Sequence, residues 1–411
     1  MKLKIVKGTR DIRNEELERF QIFEKSTEKI FPLYGYNEIR TPIMERTELF
    51  AHGVGEETDI VGKEMFLLED RRKRSLALRP EGTAQIVRNI ITNDLMKQNK
   101  VLKYYYIGPM FRYEQPQKGR YRQFHQIGAE YFGVETPDAD LELILMLRQL
   151  FNDVKLKSVA FQLNSIGCLK PNCRPQFKSN LVQFLKDNQQ NLCDDCQKRM
   201  TTNPLRVLDC KNEKCIQIAN GAPKIYEAVC EDCSSNFKDL QNLLEKHSVT
   251  YELNEKLVRG LDYYSRTVFE VYSSNLGAQS AAGGGGRYDG LFDIYGAKTV
   301  PAIGFALGLD RLTMLLDKPK SKTEGFFVIG SDQEAVIKLV SEVRESNQKC
   351  LYDPHFASMK SQFRQANKAL VKKVLILGEE EIKNNQIAVK NMATSEQVNI
   401  SADQLAHYLE N

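Results

Sequence analysis

Arginine, glutamate and hydroxyl side chains lie close together in several short segments, at spacings that suit a charged ligand. Phe111–Glu114 ends an aromatic, strand-like stretch with an arginine and a glutamate, and a loop rich in glycine, lysine and arginine follows. Gln126 and Glu130 are four residues apart in the next strand-like stretch, so both side chains point to one face. A guanidinium can hold a phosphate bidentately and a carboxylate can accept from an amino group, so the pattern suits a nucleotide. An exposed hairpin with salt bridges is the alternative.

Other segments repeat this combination of residue types. Arg79–Thr83 is a rigid turn whose carboxylate and hydroxyl suit an ammonium group, although a glutamate in the first turn of a helix explains it equally well. Leu257–Tyr264 carries an arginine and two tyrosines, and four glycines follow at Gly283–Gly286. Glycines let a ligand approach the backbone, but without GxGxxG spacing they also fit a flexible turn. Pro301–Arg311 passes from an apolar strand into a helix that ends in an arginine, which a core helix with a capping salt bridge would also explain.

Composition and missing motifs exclude several classes of protein. The sequence has no Walker P-loop, HExxH or GxSxG motif, so P-loop ATP chemistry, zincin proteolysis and nucleophile-elbow hydrolysis lose their usual support. The 411 residues are 42% hydrophobic and 27% charged, which excludes disorder, collagen and small disulfide scaffolds. A net charge of +4 permits a nucleic-acid partner. No stretch has the character of a signal peptide or a membrane span, so we expect a cytoplasmic protein with no membrane contact.

The elements that position these segments follow from the apolar periodicity. Apolar residues three and four apart predict helices over 14–31 and 138–151. The sequence becomes polar and rich in paired cysteines near Cys168, which indicates an insertion, and a polar linker covers 318–323. Further predicted elements are strands at 36–42, 66–68, 75–79, 104–113, 123–132, 159–164, 267–272 and 326–329, and helices at 83–95 and 334–345, with the order of strand and helix at 363–369 and 374–377 left open.

Taken together, the segments resemble the class II aminoacyl-tRNA synthetases, and among them the histidyl-tRNA synthetase family. Arg40–Pro42 resembles motif 1, residues 108–133 resemble motif 2, and residues 301–311 resemble motif 3. The stretches LVRGLDYY and GGGGRYDGL resemble two signatures of the histidine enzymes. The resemblance covers nearly the whole chain. It implies a homodimeric ligase that activates L-histidine with ATP and transfers histidine to the 3′ end of tRNA(His).

The resemblance also implies a fold. We expect an α+β catalytic domain with an antiparallel sheet, a mostly helical Cys-rich insertion and a C-terminal α/β anticodon-binding domain. The predicted bounds are 1–165 and 246–318 for the two parts of the catalytic domain, 166–245 for the insertion and 325–411 for the anticodon-binding domain.

The motif match implies a role for individual residues. Arg112 and Arg259 would hold the α-phosphate as catalytic residues, Arg311 would face the ATP tail with Mg²⁺ on the pyrophosphate side, and Glu114 would read the adenine amino group. A site that bonds both ring nitrogens of histidine leaves polar groups unpaired with any apolar competitor. The residues implied for histidine are Glu81, Thr83 and Gln126 for the α-amino group, Glu130 and Tyr264 for the imidazole, and Tyr263 and Tyr288 for the pocket wall.

Contacts with tRNA fall on the motif 2 loop. Lys118, Arg120 and Arg122 suit the phosphates of an acceptor stem, and Gln117 and Arg122 match positions that read the extra 5′ guanosine of this tRNA. The chain departs from the family at Gln115, where an arginine is usual next to the acceptor end. Residues 368–373, KALVKK, replace a stretch that usually contains glycine, so anticodon contacts are not assigned to individual residues.

The cysteines are the unusual feature of the composition. Eight of the nine lie between Cys168 and Cys233, and thiols that stay reduced in the cytoplasm favour metal over disulfides. The two CxxC pairs, Cys193 with Cys196 and Cys230 with Cys233, predict one Cys₄ zinc site. A second, looser set is Cys168, Cys173, Cys210 and Cys215, and reduced structural cysteines are the alternative to zinc. We expect the insertion to contact the acceptor arm of tRNA.

Two other functions compete with the ligase. A non-catalytic class II paralogue, the regulatory subunit of ATP phosphoribosyltransferase, would keep the fold but typically lacks the anticodon domain and intact phosphate-binding arginines. Arg112, Arg259 and Arg311 are all present here, which favours the ligase. A zinc-dependent nucleic-acid-binding module would explain the insertion alone.

Overall fold

The chain forms two compact units, residues 1–318 and 319–411. The computed structural model describes residues 3–55, 58, 60–208, 210, 212–225, 228–277, 281–318 and 323–410. Each unit has its own sheet. Among the helices in these ranges, none is both long and apolar enough to cross a membrane.

The N-terminal unit alternates helices and strands before and after a helical stretch. Its helices are α1 (Asn14–Ile30), α2 (Thr47–Val54), α3 (Thr83–Thr92), α4 (Leu95–Gln98), α5 (Asp138–Asp153), α6 (Arg174–Asp187), α7 (Asp194–Thr202), α8 (Glu213–Asn220), α9 (Glu231–Lys246), α10 (Leu291–Ile294) and α11 (Leu309–Leu312). Its strands are β1 (Asn37–Glu38), β2 (Met44–Arg46), β3 (Leu67–Glu69), β4 (Ser75–Leu78), β5 (Leu102–Phe111), β6 (Gln123–Phe132), β7 (Ala160–Ser165), β8 (Tyr251–Leu253), β9 (Ser265–Tyr272), β10 (Ala281–Arg287) and β11 (Ala302–Gly308).

A mainly antiparallel sheet organises this unit, which confirms the predicted fold class. Its strand order is β1-β5-β6-β11-β10-β9-β7-β8. The six central strands pair antiparallel, and only β1 and β8 join their neighbours in parallel. Strands β2, β4 and β3 form a small separate antiparallel sheet. The predicted strand at 36–42 is shorter than expected, because only Asn37 and Glu38 pair with β5.

The predicted helices α1 and α5 are confirmed, and the two pack against each other and share one core with the central sheet. α5 follows Pro137, and acidic residues in its first turn complement the positive end of the helix dipole. Leu143, Leu147 and Leu150 recur at helical spacing and are fully buried. Burial of one such side chain contributes about 1.5–3 kcal/mol, so the apolar periodicity fixes this helix on the sheet.

The glycine run is a strand at the centre of the sheet, so the flexible-turn alternative is wrong. Gly283–Gly286 pair with β9 on one side and with β11 on the other. A Cβ on Gly285 would lie 2.1 Å from the carbonyl oxygen of Gly304, and one on Gly284 would lie 2.7 Å from Nη1 of Arg259. The neighbouring strands and the side chain of Arg259 therefore approach this backbone more closely than any side chain would allow.

The Cys-rich stretch between β7 and β8 folds as four helices, α6–α9. Its apolar side chains include Phe177, Leu181 and Met200, which join one cluster with Tyr263 and Tyr264. Helical structure here follows the prediction. The packing shows that the insertion and the segment before β9 share a core.

The C-terminal unit is a small α/β fold. The helix predicted at 334–345 is confirmed, while 363–369 is mainly helical and 374–377 is a strand. The short strand at Cys350–Tyr352 had no prediction. The elements are β12 (Phe326–Gly330), α12 (Gln333–Glu345), β13 (Cys350–Tyr352), α13 (Met359–Lys368), β14 (Lys373–Leu377), α14 (Glu379–Lys383), β15 (Gln386–Asn391), β16 (Gln397–Ser401) and α15 (Leu405–Glu410). The sheet order is β13-β12-β14-β15-β16, with β13, β12 and β14 parallel.

Candidate active site

A cavity of about 260 Å³ opens on the central sheet of the N-terminal unit. Strands β6, β10 and β11 and the 257–264 segment contribute to its walls, together with the loop between β5 and β6. Segments from Glu81 to Arg311, more than two hundred residues apart, thus meet at one place. The predicted site residues that line this cavity are Glu81, Thr83, Arg112, Glu114, Arg120, Gln126, Arg259, Tyr263, Tyr264 and Arg311.

Three arginines converge on the cavity, and protein groups hold each one in place. Arg112 donates from Nε to the carbonyl oxygen of Pro80 at 2.9 Å. Arg311 donates from Nη1 to the carbonyl oxygen of Ala281 at 2.6 Å. Nη1 of Arg259 lies 3.0 Å from Oε2 of a glutamate on β9, described below. Fixed guanidinium groups that face one space form a preorganised site for phosphate oxygens.

The electrostatics of Arg311 show how strongly positive this side of the cavity is. Burial lowers the pKa of Arg311, and the neighbouring cations Arg120 and Arg112 lower it further. Glu114 and Glu270 act in the opposite direction. A polyanionic ligand would relieve the repulsion between these arginines, since each gains an opposite charge.

The opposite end of the cavity is acidic and polar. Glu81 is buried and its carboxylate accepts from the backbone N–H groups of Thr83 at 2.7 Å and Ala84 at 2.9 Å, at the start of α3. Burial raises the pKa of Glu81 from its usual value. Glu81 therefore caps the start of α3, as one interpretation of this turn expected, and it also lines the cavity, while its binding of an ammonium group stays a prediction. Oε1 of Gln126 is buried and has no partner among the described residues, so it can accept from a bound ligand.

Glu130 lies beneath the cavity instead of in its wall. It is fully buried, accepts from Oγ1 of Thr83 at 2.7 Å, and accepts from the hydroxyl of Tyr288. Burial raises the pKa of Glu130 to about 8. Room for its carboxylate comes from Gly304 on β11, where a Cβ would lie 1.7 Å from Oε2. Glu130 and Tyr288 are the predicted histidine-site residues that the structure sets behind the lining residues.

The three predicted acceptor-stem residues occupy different places. Gln117 is exposed, and its backbone pairs with that of Arg120. The side chain of Arg120 turns into the cavity, where Nη1 lies 3.1 Å from Oε2 of Glu114. Arg122 stacks on the ring of Tyr113 at 3.6 Å and donates to the carbonyl oxygen of Glu114 at 3.3 Å. Arg120 therefore lies with the other arginines that line the cavity, and Gln117 is the exposed member.

Sequence reasoning missed two acidic residues that position the site. Glu270 on β9 pairs with Arg259, and its register opposite Gly284 puts the pair over the glycine strand. Asp310 accepts from the backbone N–H of His125 at 2.6 Å and from Nη2 of Arg10 at 2.7 Å, which ties α11 to β6. Glu270 carries no local motif, whereas Asp310 precedes Arg311 and could have been noticed there.

The structure corrects the grouping of the cysteines. Cys193 and Cys196 do not lie with Cys230 and Cys233, as the CxxC pattern suggested. The spacing of each pair identifies candidate ligands, but the path of the chain decides which pairs meet. The observed groups are Cys168, Cys173, Cys230 and Cys233 in the first cluster and Cys193, Cys196, Cys210 and Cys215 in the second cluster.

An antiparallel sheet that holds converging arginines above an acidic, polar floor defines a class II aminoacyl-tRNA synthetase. Residues 8–312 match the family model described as histidyl-tRNA synthetase, and residues 323–411 match an anticodon-binding domain. The chain therefore belongs to the histidyl-tRNA synthetase family.

Individual relatives agree with this family. The chain is 46% identical over 409 residues to a histidine–tRNA ligase of Maridesulfovibrio salexigens, covering 98% of this chain and 99% of the relative. It is 44% identical to the histidine–tRNA ligase of Desulfatibacillum aliphaticivorans, covering 98% and 97%. Among solved structures, the apo histidyl-tRNA synthetase of S. aureus matches with a TM-score of 0.83 and 31% identity over 100% of both chains.

Proposed function

We propose that the chain is a histidine–tRNA ligase, which joins L-histidine to ATP as histidyl-adenylate and passes histidine to the 3′ end of tRNA(His). The observation that carries the proposal is one cavity with three fixed arginines at one end and a buried acidic floor at the other. A nucleoside triphosphate needs positive groups for its phosphates, and the ammonium group of an amino acid needs acidic or polar acceptors beside them. The family membership and the match to an anticodon-binding domain support the same reaction.

In the first step, the carboxylate of histidine attacks the α-phosphorus of ATP and pyrophosphate leaves. Negative charge builds on the phosphate oxygens, so Arg112 and Arg259 are assigned to the α-phosphate and Arg311 to the leaving pyrophosphate. Mg²⁺ enters as part of the substrate, bound to the phosphates of ATP. Glu114 is assigned to the adenine amino group, and its pairing with Arg120 must rearrange when the base binds.

Histidine occupies the acidic end of the cavity. The α-ammonium group is assigned to Glu81, Thr83 and Gln126, where the unpartnered Oε1 of Gln126 supplies an acceptor. The imidazole is assigned to Tyr264 and Glu130, with Tyr263 and Tyr288 as the wall. Since Glu130 lies below the lining residues, reaching it requires the ring to enter between these tyrosines.

The second step needs the acceptor end of tRNA beside the adenylate. Gln117 and Arg122 on the β5–β6 loop are assigned to the acceptor stem, with Arg120 available once the adenylate has formed. Phosphate contacts of this kind depend on salt, so binding should weaken as ionic strength rises.

A cytoplasmic homodimer is part of the proposal. Large apolar side chains are exposed next to the motif 1 segment, which supports a subunit interface there. They include Ile43, Met44, Leu67 and Leu68, with 45%, 54%, 58% and 43% of the residue surface exposed.

The test is histidine-dependent exchange of pyrophosphate with ATP. We expect exchange above background for the wild type, and Arg259→His should lower exchange far more than tRNA binding. Arg71→His, at an exposed hairpin tip, is the matched control and should leave both unchanged. Exchange at background in the wild type would refute the ligase and favour the regulatory paralogue. Equal loss of exchange and tRNA binding in Arg259→His would make that residue structural.

A further inference from the structure

The eight cysteines of the insertion form two compact groups of thiols. In each group one Sγ atom per residue lies within 4.8 Å of the other three. Sγ of Cys168 is 3.7 Å from Sγ of Cys230, and Sγ of Cys173 is 3.9 Å from Sγ of Cys233. In the second cluster the Sγ atoms of Cys193 and Cys210 are 3.9 Å apart. These separations are far longer than the ~2.05 Å of a disulfide.

The separations fit one tetrahedral ion in each group. A zinc–sulfur bond of about 2.3 Å places neighbouring sulfurs of a tetrahedron about 3.8 Å apart. Four thiolates at that separation leave room for a single ion. Zinc suits an all-thiolate tetrahedron that has no redox task.

Backbone N–H groups point at the sulfurs of both clusters. Sγ of Cys173 accepts from the backbone N–H groups of Cys168 at 3.3 Å and Cys230 at 3.2 Å. Sγ of Cys215 accepts from the N–H of Cys193 at 3.3 Å. Cys193 and Cys230 are also the N-caps of α7 and α9. These contacts fix the positions of the sulfurs in each cluster.

The first cluster has little else to hold it together. Its buried members are cysteines alone, with Val229 as the neighbouring aliphatic side chain. It joins the start of the insertion, after β7, to the start of α9, which leads back to β8. A metal ion would supply the cohesion that so small an apolar core cannot supply.

Both clusters lie next to side chains that hold the histidine end of the active site. Arg174 follows Cys173 directly, is buried, and donates from Nη1 to the carbonyl oxygen of Tyr264. Asn203, at the end of the helix that begins between Cys193 and Cys196, donates to Oδ1 of Asp262 at 2.6 Å. The insertion therefore fixes the 257–264 segment at two points.

We propose that the insertion binds two zinc ions, one in each cluster, and that these ions hold the insertion against the 257–264 segment. Arg174 and Asn203 act as positioning residues that transmit this support to the histidine pocket. The zinc sites stand on the cysteines alone, whereas the effect on histidine rests on the proposed function.

Metal content of the purified full-length protein tests the sites. We expect about two zinc ions per chain. X-ray absorption spectra at the zinc edge should show each zinc bonded to four sulfurs at about 2.3 Å. Cys350→Ser is the matched control and should keep both ions, since Cys350 lies outside both clusters. A wild-type content below about 1.5 would overturn the proposal.

Paired substitutions test the grouping. Cys168→Ser with Cys230→Ser should remove one ion, because both residues belong to the first cluster. Cys193→Ser with Cys230→Ser should remove both ions, because it breaks both clusters. If the second double variant kept one ion, the two CxxC pairs would share a site and the structural grouping would be wrong. Native mass spectrometry of the wild type during stepwise chelation gives the number of ions even where a variant fails to fold.

Pyrophosphate exchange tests the link to histidine. Chelated wild type should show a KM for histidine raised at least about tenfold, with exchange at saturating histidine largely kept. Arg174→Met should raise the same KM while keeping both ions. An unchanged KM in both would refute the positioning role. Absence of exchange in untreated protein would instead refute the ligase, and would leave the zinc measurement standing.

Discussion

The buried ion pair between Asp140 and Arg287 joins α5 to the end of the glycine strand, and its loss should destabilise the N-terminal unit. Nε of Arg287 donates to Oδ2 of Asp140 at 2.8 Å, and both side chains are fully buried. Arg287 also donates to the carbonyl oxygens of Val134 at 3.0 Å and Thr136 at 2.5 Å. The change Asp140→Ala would leave the guanidinium with these two carbonyls but without its buried counter-charge.

The structure sets the size of the effect. Breaking a buried pair from one side costs about 3–5 kcal/mol. We expect a cost at the lower end of this range, because the guanidinium of Arg287 keeps two carbonyl acceptors and Oδ1 of Asp289 lies 3.8 Å from its Nη1. With an unfolding entropy of about 2.1 cal/mol/K per residue over the 318 residues of the unit, a loss of about 3 kcal/mol lowers Tm by about 4–5 °C.

Thermal unfolding of the full-length chain at fixed protein concentration measures this change. Lys29→Ala is the control, because Lys29 is mainly exposed and its pair with Asp153 contributes at most about 1 kcal/mol. Asp140→Leu combined with Arg287→Met removes both charges and should recover most of the lost Tm. A Tm of Asp140→Ala within about 1 °C of the wild type would refute the reasoning, as would a double variant less stable than either single variant.

Two further predictions concern the active site. Since the pKa of Glu130 is raised to about 8, the Glu130 carboxyl group is largely protonated at pH 7 before histidine binds. A histidine N–H that donates to this group lowers its pKa, so that binding releases up to about one proton. Calorimetry of histidine binding, in buffers of different ionisation enthalpy, should show that the wild type releases more protons at pH 7 than Glu130→Gln does. The wild type should release fewer protons at pH 9.5 than at pH 7, and equal release by the two proteins at pH 7 would contradict this. Gly284→Ala should lower pyrophosphate exchange by about 100-fold, because the new Cβ would lie 2.7 Å from Nη1 of Arg259 and 2.5 Å from the carbonyl oxygen of Phe269, so that Arg259 and the local β9–β10 pairing must shift. Gly62→Ala, where no neighbouring atom lies within 4 Å, should leave exchange unchanged, and a loss under about threefold in Gly284→Ala would show that Arg259 adapts.

The sequence by itself determined the fold class and the charged and polar residues at both ends of the cavity. Helical periodicity located α1 and α5, since a face that buries several large apolar side chains leaves a local signal. The arginines and glutamates of the site stand in short motifs that each have another explanation, and these motifs become specific only when they are taken together. Their assembly into one cavity follows, because an antiparallel sheet brings successive strands side by side.

Tertiary structure decided what depends on distant neighbours. In the sequence, the glycines of Gly283–Gly286 look like a turn. In the structure they pair with β9 on one side and β11 on the other, and the close approach of these strands leaves no room for a side chain. The depth of Glu130 depends on Gly304 across the sheet, and the orientation of Arg259 depends on Glu270. None of these partners is near in sequence, so no local pattern records them.

The cysteines show the same limit most clearly. Pair spacing identified all eight as candidate ligands, because CxxC and CxxxxC place two sulfurs close together whatever the surrounding fold. Which pairs share a site depends on where α6–α9 carry them, and loop closure allows several combinations at similar cost in entropy. Only the packed insertion brings Cys168 and Cys173 to Cys230 and Cys233. The second cluster then forms from the cysteines that lie between these two pairs along the chain.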